Sequence, residues 1–255
     1  MSMLMFMREA VISFRQLGTF LPTQSCLARN IARTLPHRDG MKIVELGAGE
    51  GSITRAIIHE LGEIDYRFLV IEPNENLLTA NQQSICLLAG LPEDQDYGDP
   101  VPAARGDSRR HLHFLPADAF ALGRILDDRH ISSVDAIVSS LPLFYFSPLQ
   151  RRDLFALAKD RLAQEGIFIQ YRYTPAGVGE LQPFFSRIHR RFVPNFLPAW
   201  LFVCENTASS PGPSQLELAT TSRAAIGFTS KGLRFFEDRF EGLRTVTSDL
   251  AQTSL

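Results

Sequence analysis

The sequence predicts an α/β fold, a doubly wound and mostly parallel sheet that an antiparallel pair of strands closes at its C-terminal end. Three observations predict it. Short apolar runs alternate with amphipathic segments between residues 41 and 174, which is typical of successive βαβ units. A glycine-rich turn follows the first apolar run. Two further apolar runs lie close together between residues 190 and 205, and Pro194 confines the first of them to a sheet edge.

Seven runs are predicted to be strands: MKIVEL, YRFLVIE, LHFLP, VDAIVSS, GIFIQYRYT, RRFVPNF and AWLFVCE. Helical periodicity predicts helices over CLARNIARTL, SITRAIIHEL, NLLTANQQSICLLAG and LQRRDLFALAKDRL, with a short one near residues 122–128. Ser25 is the expected N-cap of the first of these helices, and Ser147 caps the last, with Pro148 at its first position. Strands apolar on both faces need helices on both faces, so we predict a Rossmann-like, seven-stranded sheet.

We predict three parts along the chain. Residues 1–35 form amphipathic helices, residues 36–205 form the sheet domain, and residues 206–255 are a linker and tail. The polar segment 92–110, rich in Pro, Gly and Asp, is predicted to be a surface insertion. The helix predicted over residues 3–17 has a wide apolar face with arginines opposite it. This face suits either contact with a membrane surface or packing against the protein's own domain.

Composition excludes several classes of protein. The 255 residues carry a formal net charge of -2, which disfavours a protein that coats nucleic acid. Cys26, Cys86 and Cys204 lie far apart, so we expect reduced thiols and neither a disulfide framework nor a metal site. The N-terminus lacks a signal-peptide pattern, and no uncharged apolar run is long enough to span a membrane. We therefore expect a cytoplasmic protein.

The glycine-rich turn is the strongest sign of a ligand. Gly47, Gly49 and Gly51 stand between the first strand and its helix, and Glu45 precedes them. Glu72 ends the second strand about twenty residues further on, where such folds hold a ribose by its hydroxyls. The GxGxG spacing and the acidic residue within it disfavour a pyrophosphate and suit a cationic sulfonium with an amino-acid tail. The alternative is a tight turn that binds nothing.

Three stretches, VELGAGEGSIT, VIEPN and LPADAF, resemble motifs I, II and III of class I S-adenosylmethionine-dependent methyltransferases. The resemblance implies that S-adenosylmethionine is the cofactor, that the motif I residues wrap its methionine part, that Glu72 takes the ribose, and that Asp118 binds the adenine amino group. Asp118 also suits a helix cap, and the two roles are compatible. The expected cofactor residues are Glu45, Gly47, Ala48, Gly49, Gly51, Glu72, Pro73, Asp118, Ala119 and Ser139.

The segment SSLPLFYFSP, residues 139–148, occupies the position of motif IV, beside the transferred methyl group. Enzymes that methylate adenine amines carry Asn or Asp followed by Pro-Pro here, and this chain has neither acid nor amide. The segment instead resembles the S-G-L-P-L stretch of the bacterial phospholipid N-methyltransferase family. FRQLGTFLPTQSCLARNIA, GIFIQYRYTP and VPNFLPAWLFVCE extend that resemblance over most of residues 6–205. It implies an acceptor amine on a phospholipid headgroup of the phosphatidylethanolamine type.

Aromatic side chains are the expected acceptor residues, because an aromatic-lined site tolerates the cation that N-methylation produces. Tyr173 matches the family tyrosine, and Tyr171 and Tyr145 are the further catalytic candidates. Leu141 and Pro142 are expected to contact the substrate together with Tyr173. The alternative for each phenol is a hydrogen bond within the core. Gln24, Tyr171, Arg172 and the insertion depart from the family pattern.

Other functions stay open at this point. The runner-up is an enzyme like the rRNA adenine dimethyltransferases, to which the family is distantly similar. A small-molecule or protein amine methyltransferase and a non-catalytic cofactor-binding protein are further alternatives. For the leading interpretation the partners are a phospholipid or another amine and, through residues 3–17, the inner face of the membrane, while nucleic acid is disfavoured.

Overall fold

A computed structural model describes residues 22–89, 101–102, 109–194 and 198–207. The predicted helix over residues 3–17, most of the predicted insertion and the tail after residue 207 lie outside the described residues. Gln24 lies in the described helix that begins at Pro22, but its side chain is not described.

The described part of the chain forms one eight-stranded sheet. Its strands are β1 Met41–Leu46, β2 Tyr66–Ile71, β3 Val101–Pro102, β4 Arg110–Leu115, β5 Val134–Ser139, β6 Leu162–Arg172, β7 Arg187–Val193 and β8 Ala199–Glu205. Seven of them are the predicted strands. The eighth is the two-residue β3, which lies inside the predicted insertion and pairs antiparallel with β4. The predicted α/β fold is confirmed.

The strand order is β3-β4-β2-β1-β5-β6-β8-β7. The central strands β4, β2, β1, β5 and β6 are parallel, and β6, β8 and β7 pair antiparallel. β7 is an edge strand, as the proline after it predicts. Because the chain moves outward from β1 to β2 and β4 and then returns to β5, the switch point lies between β1 and β5. Ligands of open α/β sheets bind at the carboxyl ends of the strands beside such a point.

Six α-helices occur in the described residues: α1 Pro22–Ala32, α2 Ser52–Leu61, α3 Glu75–Ala89, α4 Leu122–Asp128, α5 Pro148–Arg161 and α6 Val178–Leu181. Ser147 caps α5 through a reciprocal pair of hydrogen bonds with Gln150, and Pro148 is its first residue, as predicted. The prediction for Ser25 is wrong. The helix already begins at Pro22, whose fixed φ suits a first turn, so Ser25 lies inside α1.

Two apolar layers cover the sheet. Side chains of α1, α2 and α3 pack on one face, and those of α4, α5 and α6 pack on the other. The buried polar side chains of the described residues interrupt this core mainly at one edge, near the carboxyl ends of the parallel strands; they are Glu45, Thr54, Glu72, Asn81, Gln82, Ser139 and Gln170. Burying polar groups is costly unless they are paired, so this edge is where a function is to be sought.

None of the described helices has both the length and the apolar character needed to cross a membrane. The three cysteines are free thiols. Within the described ranges, no group of His, Cys, Asp and Glu side chains is arranged to hold a metal ion.

Candidate active site

Glu45 is the most deeply buried acid of this edge, with no exposed surface. Thr54 of α2 donates from Oγ1 to Glu45 Oε2 over 2.7 Å, and Asn81 of α3 donates from Nδ2 to Thr54 Oγ1 over 3.0 Å. The other oxygens of Glu45 and Asn81 have no hydrogen-bond partner in the structure. Burial raises the pKa of Glu45 from its ordinary value of 4.5 to about 8, against the opposing effects of the Thr54 hydrogen bond and the Arg55 charge.

This shift predicts how stability depends on pH. Between pH 4.5 and about 8 the Glu45 carboxyl is ionised in the unfolded chain and protonated in the folded one, so stability falls as the pH rises through that window. Glu45→Gln cannot ionise in either state. Urea unfolding at pH 5 and pH 8 should therefore show a smaller loss of stability for the variant, by a few kcal/mol at about 1.4 kcal/mol per pKa unit. Equal losses for both proteins would contradict the assignment.

The glycine turn adopts left-handed backbone conformations. The φ angles are +75° at Gly47, +54° at Gly49 and +84° at Gly51. The N–H groups of Gly47 and Ala48 both donate to the Ile71 carbonyl, over 2.9 and 3.3 Å, which ties the turn to the end of β2. The left-handed region is costly for other residues, so glycine is favoured at these three positions.

The three glycines differ in what surrounds them. A Cβ at Gly51 would lie 1.9 Å from Asn81 Oδ1, and one at Gly47 would lie 2.9 Å from Leu141 Cδ2. A Cβ at Gly49 would meet nothing within 4 Å. At two of the three positions, the protein's own side chains therefore lie close to the backbone of the turn. Only Gly49 faces open space.

Glu72 is held beside that open space. Its Oε2 accepts the Gly49 N–H over 3.0 Å and its Oε1 accepts the Asn74 N–H over 3.1 Å, and the residue is only 7% exposed. Each carboxylate oxygen has a second lone pair, so the group can also accept two ribose hydroxyls. Pro73, which follows it, is exposed. An oriented carboxylate beside the open space at Gly49 thus fits the ribose of a nucleoside.

Asp118 follows β4 at the same edge. Its Oδ1 accepts the Phe120 N–H over 2.8 Å and so caps the single 3₁₀ turn Ala119–Ala121. The expectation that Asp118 caps a helix therefore holds, and its second oxygen makes no hydrogen bond to the described part of the chain. Sequence reasoning missed Phe120, which is 37% exposed and whose ring centroid lies 5.8 Å from that of Phe146. The planes of the two rings are tilted by 30°, and together they form an apolar surface close to Asp118 along the chain.

The acceptor segment, defined here as residues 139–148, follows β5. Leu141 approaches Gly47, Pro142 is exposed, and a 3₁₀ turn spans Leu143–Tyr145. Arg151 of α5 holds the turn, because its Nη1 donates to the Leu143 and Phe146 carbonyls over 3.3 and 3.1 Å. The geometry fixes the backbone of this segment and leaves several of its side chains outside the core.

The structure separates the three tyrosines into two groups. The rings of Tyr171 and Tyr173 lie 5.8 Å apart at 75° and pack beside the layer formed by α1, α2 and α3. Burial raises the pKa of Tyr173, with a hydrogen bond to Tyr171 opposing the shift, so its phenol stays neutral. Tyr145 is 52% exposed and contacts Phe144, with ring centroids 5.4 Å apart. The described ring contacts do not join it to the other two.

Sequence reasoning also missed Gln170. This residue of β6 is 1% exposed, and its Nε2 donates to the carbonyls of Tyr171 and Leu141 over 2.8 and 3.5 Å. Its Oε1 has no partner, and the same is true of the Ser139 and Ser140 hydroxyls. A lone amide within the apolar run GIFIQYRY was the available signal, because a buried strand rarely carries an amide without a reason.

No family model matches the chain. The ornithine lipid N-methyltransferase of Singulisphaera acidiphila is 27% identical over 203 residues, which are 76% of this chain and 91% of that protein.

Two solved structures share the fold. TrmN from Thermus thermophilus gives a TM-score of 0.52 at 22% identity, over 70% of this chain and 48% of its own, so the present chain spans about half its length. Magnesium protoporphyrin IX methyltransferase from Synechocystis PCC 6803, solved with bound S-adenosylmethionine, gives 0.53 at 8% identity over 72% of this chain and 79% of its own. Both structures confirm the predicted fold. The relative above is an N-methyltransferase, and the Synechocystis structure holds S-adenosylmethionine; these are the enzyme class and the cofactor that the sequence predicts.

Proposed function

We propose that this chain, a class I S-adenosylmethionine-dependent methyltransferase, methylates the amine of a lipid headgroup. The observation that carries the proposal is the acceptor segment, which offers no acidic or amide side chain and turns aromatic side chains toward solvent. The name of the Singulisphaera relative, which matches along most of both chains, supports a lipid amine as the acceptor.

The bound cofactor would supply an activated methyl group on a sulfonium. The chain's own residues would hold it: Glu72 the ribose hydroxyls, the turn at Gly49 the adjoining atoms, and Asp118 with Phe120 the adenine. Holding the amine in line and close to the methyl group would account for most of the rate. The amine must be neutral to attack, and burial in an apolar site lowers its pKa and so favours the neutral form.

Tyr171 and Tyr173 are proposed to line the acceptor site. Their paired rings are partly buried, and the neutral phenol of Tyr173 cannot form an ion pair that would hold the amine as an ammonium. Aromatic faces also stabilise the cationic product. Leu141 and Pro142 are proposed to contact the substrate from the acceptor segment. Tyr145, which is 52% exposed, is proposed to contact the lipid surface and not the reacting nitrogen.

A lipid substrate needs a route from the bilayer. Phe144, Tyr145 and Leu149 are 53%, 52% and 63% exposed and lie within six residues of one another, beside the carboxyl ends of the strands. Neighbouring exposed apolar side chains mark interaction surfaces, and tyrosine suits the depth of the lipid headgroups. We propose that this rim rests on the bilayer while a headgroup enters. The predicted membrane contact through residues 3–17 lies outside the described residues and stays a prediction.

The rim gives a matched pair of variants. Phe144→Ser with Tyr145→Ser should weaken sedimentation with lipid vesicles and slow methylation of vesicle lipid by about tenfold, since two half-exposed aromatics lose their apolar contact. Methylation of a dispersed short-chain analogue should change less than twofold. Leu87→Ser with Leu88→Ser is the control, because these side chains are 69% and 72% exposed at the end of α3 that points away from the site. Equal effects of both pairs would contradict a role for the rim.

One experiment tests the function itself. The protein is incubated with a methyl-labelled cofactor and separate pools of lipid, RNA and protein, and the label is expected in the lipid amines. Label in RNA would favour the adenine methyltransferase alternative, and label in protein would favour a protein amine as the acceptor. Cofactor binding by calorimetry without any transfer would favour a non-catalytic protein.

A further inference from the structure

We infer that Gln170 binds the reacting amine through its side-chain oxygen and supplies from β6 the amide that the acceptor segment lacks. The inference rests on the proposed function, since it concerns how an amine acceptor is held. Gln170 lies in the stretch GIFIQYRYTP, but the sequence analysis assigns it no role, and the aromatic candidates do not replace it.

The orientation of the Gln170 amide follows from its contacts. Nε2 donates to the Tyr171 carbonyl over 2.8 Å and approaches the Leu141 carbonyl at 3.5 Å. The opposite orientation would place Oε1 against two carbonyl oxygens, so the oxygen must face the other way. There it has no partner, although the residue is only 1% exposed. An unpaired buried acceptor costs about 1–3 kcal/mol, and a bound donor would remove that cost.

The surroundings of this oxygen suit a donor with more than one N–H. Ser139 is paired in register with Gln170 across β5 and β6, is fully buried, and has an unpartnered hydroxyl. The hydroxyl of Ser140, the next residue along the chain, is also unpartnered. These groups are all able to accept hydrogen bonds. A neutral primary amine, with two N–H donors, matches such a set.

An amide also suits the chemistry better than an acid would. A carboxylate beside the amine would stabilise its ammonium form, which has no lone pair for attack, whereas a neutral amide oxygen favours it less. The nearest charged residue along the strand, Arg172, is already paired with Glu180 over 2.9 Å and lies over the ring of Phe202. The groups around Gln170 can thus bind an amine without favouring its protonated, ammonium form.

The position of Gln170 links it to the acceptor segment. Adenine methyltransferases place an Asn or Asp side chain on the corresponding segment itself, and here the segment offers Ser and Leu. Through the Leu141 carbonyl, Gln170 reaches the same place from the neighbouring strand. The missing side chain of the segment is therefore replaced by one that is distant in sequence and adjacent in the sheet.

The test compares lipids with a primary, a monomethylated and a dimethylated amine as separate substrates of Gln170→Met, which keeps the size of the side chain and removes its oxygen. For the two amines that carry N–H, kcat/KM should fall by about thirtyfold, the loss of one buried hydrogen bond. For the dimethylated amine, which has no N–H when neutral, it should fall less than threefold. If the wild type methylates the primary amine alone, the inhibition constant of the dimethylated lipid is measured instead and should not change.

Gln164→Met, at an exposed position of the same strand, is the control and should match the wild type.

Cofactor affinity, measured by calorimetry, should be unchanged in Gln170→Met. A uniform loss over the three amines, or no loss, would overturn the role of Gln170 and leave the lipid activity standing. A wild-type protein that labels no lipid amine would overturn both proposals. If Gln170→Met does not fold, Gln170→Asn is used, which keeps the amide but shortens its reach. The same selective loss supports the inference and a uniform loss overturns it.

Discussion

Gly51→Ala is expected to lower the free energy of unfolding by about 3 kcal/mol, a large loss for a single added methyl group. Two causes add. The residue has a φ of +84°, which costs an alanine about 1–2 kcal/mol. The new Cβ would also lie 1.9 Å from Asn81 Oδ1. Asn81 cannot simply turn away, because it is fully buried and its Nδ2 holds Thr54, which in turn holds Glu45.

Gly49→Ala is the matched control, two residues away in the same turn. Its φ of +54° carries a similar backbone cost, but its Cβ would meet nothing within 4 Å. We expect a loss of about 1 kcal/mol in urea unfolding, with no change in the m value. Because that methyl group would enter the space proposed for the cofactor, this variant should fold and yet bind S-adenosylmethionine weakly. If both substitutions destabilised the protein equally, this would show that Asn81 moves aside and that its contact with the added methyl group at position 51 is unimportant.

The fold could be predicted because its determinants are local. Parallel strands covered on both faces are continuous apolar runs, so MKIVEL and AWLFVCE mark β1 and β8 to the residue. The start of β6 could not be predicted. The pairing with β5 shifts between Leu162 and Ile167, and Glu165 adopts a φ of +65° where its N–H donates to the Asn206 carbonyl. Because of this bulge, LAQEG lacks the alternation of apolar and polar residues that marks a strand. The hydrogen-bond partner of the bulge, Asn206, lies far along the chain.

For the candidate site, the sequence locates the glycine turn but does not show its contacts. Glycine is typical of left-handed backbone, and all three glycines adopt it. The sequence does not show that the side chains of Asn81 and Leu141 lie close to two of them. Those contacts depend on how α3 and the acceptor segment pack. Gln170 was missed for a related reason. Its significance comes from the unpartnered Ser139 beside it in the sheet, and strand register is not visible in one sequence.

Glu72→Gln should weaken the binding of S-adenosylhomocysteine by about a hundredfold in calorimetry. The proposal assigns two ribose hydroxyls to this carboxylate, and each hydrogen bond to a charged group contributes about 1.5–3 kcal/mol. The loss of two such hydrogen bonds costs about 3 kcal/mol, which corresponds to an affinity about a hundredfold weaker. The amide would also turn an NH₂ group toward the N–H of Gly49 or of Asn74, both of which now donate to the carboxylate. The substituted side chain therefore loses the orientation that the acid has.

The control for Glu72→Gln is Glu75→Gln, an exposed acid at the first position of α3, three residues further along the chain. It makes the same change of charge at the same edge of the sheet, so a general electrostatic effect on a cationic ligand would appear in both variants. We expect Glu75→Gln to bind within twofold of the wild type. If Glu72→Gln did the same while remaining folded, the ribose would lie elsewhere, and the roles proposed for Gly49 and Asp118, which depend on that placement, would have to be withdrawn with it.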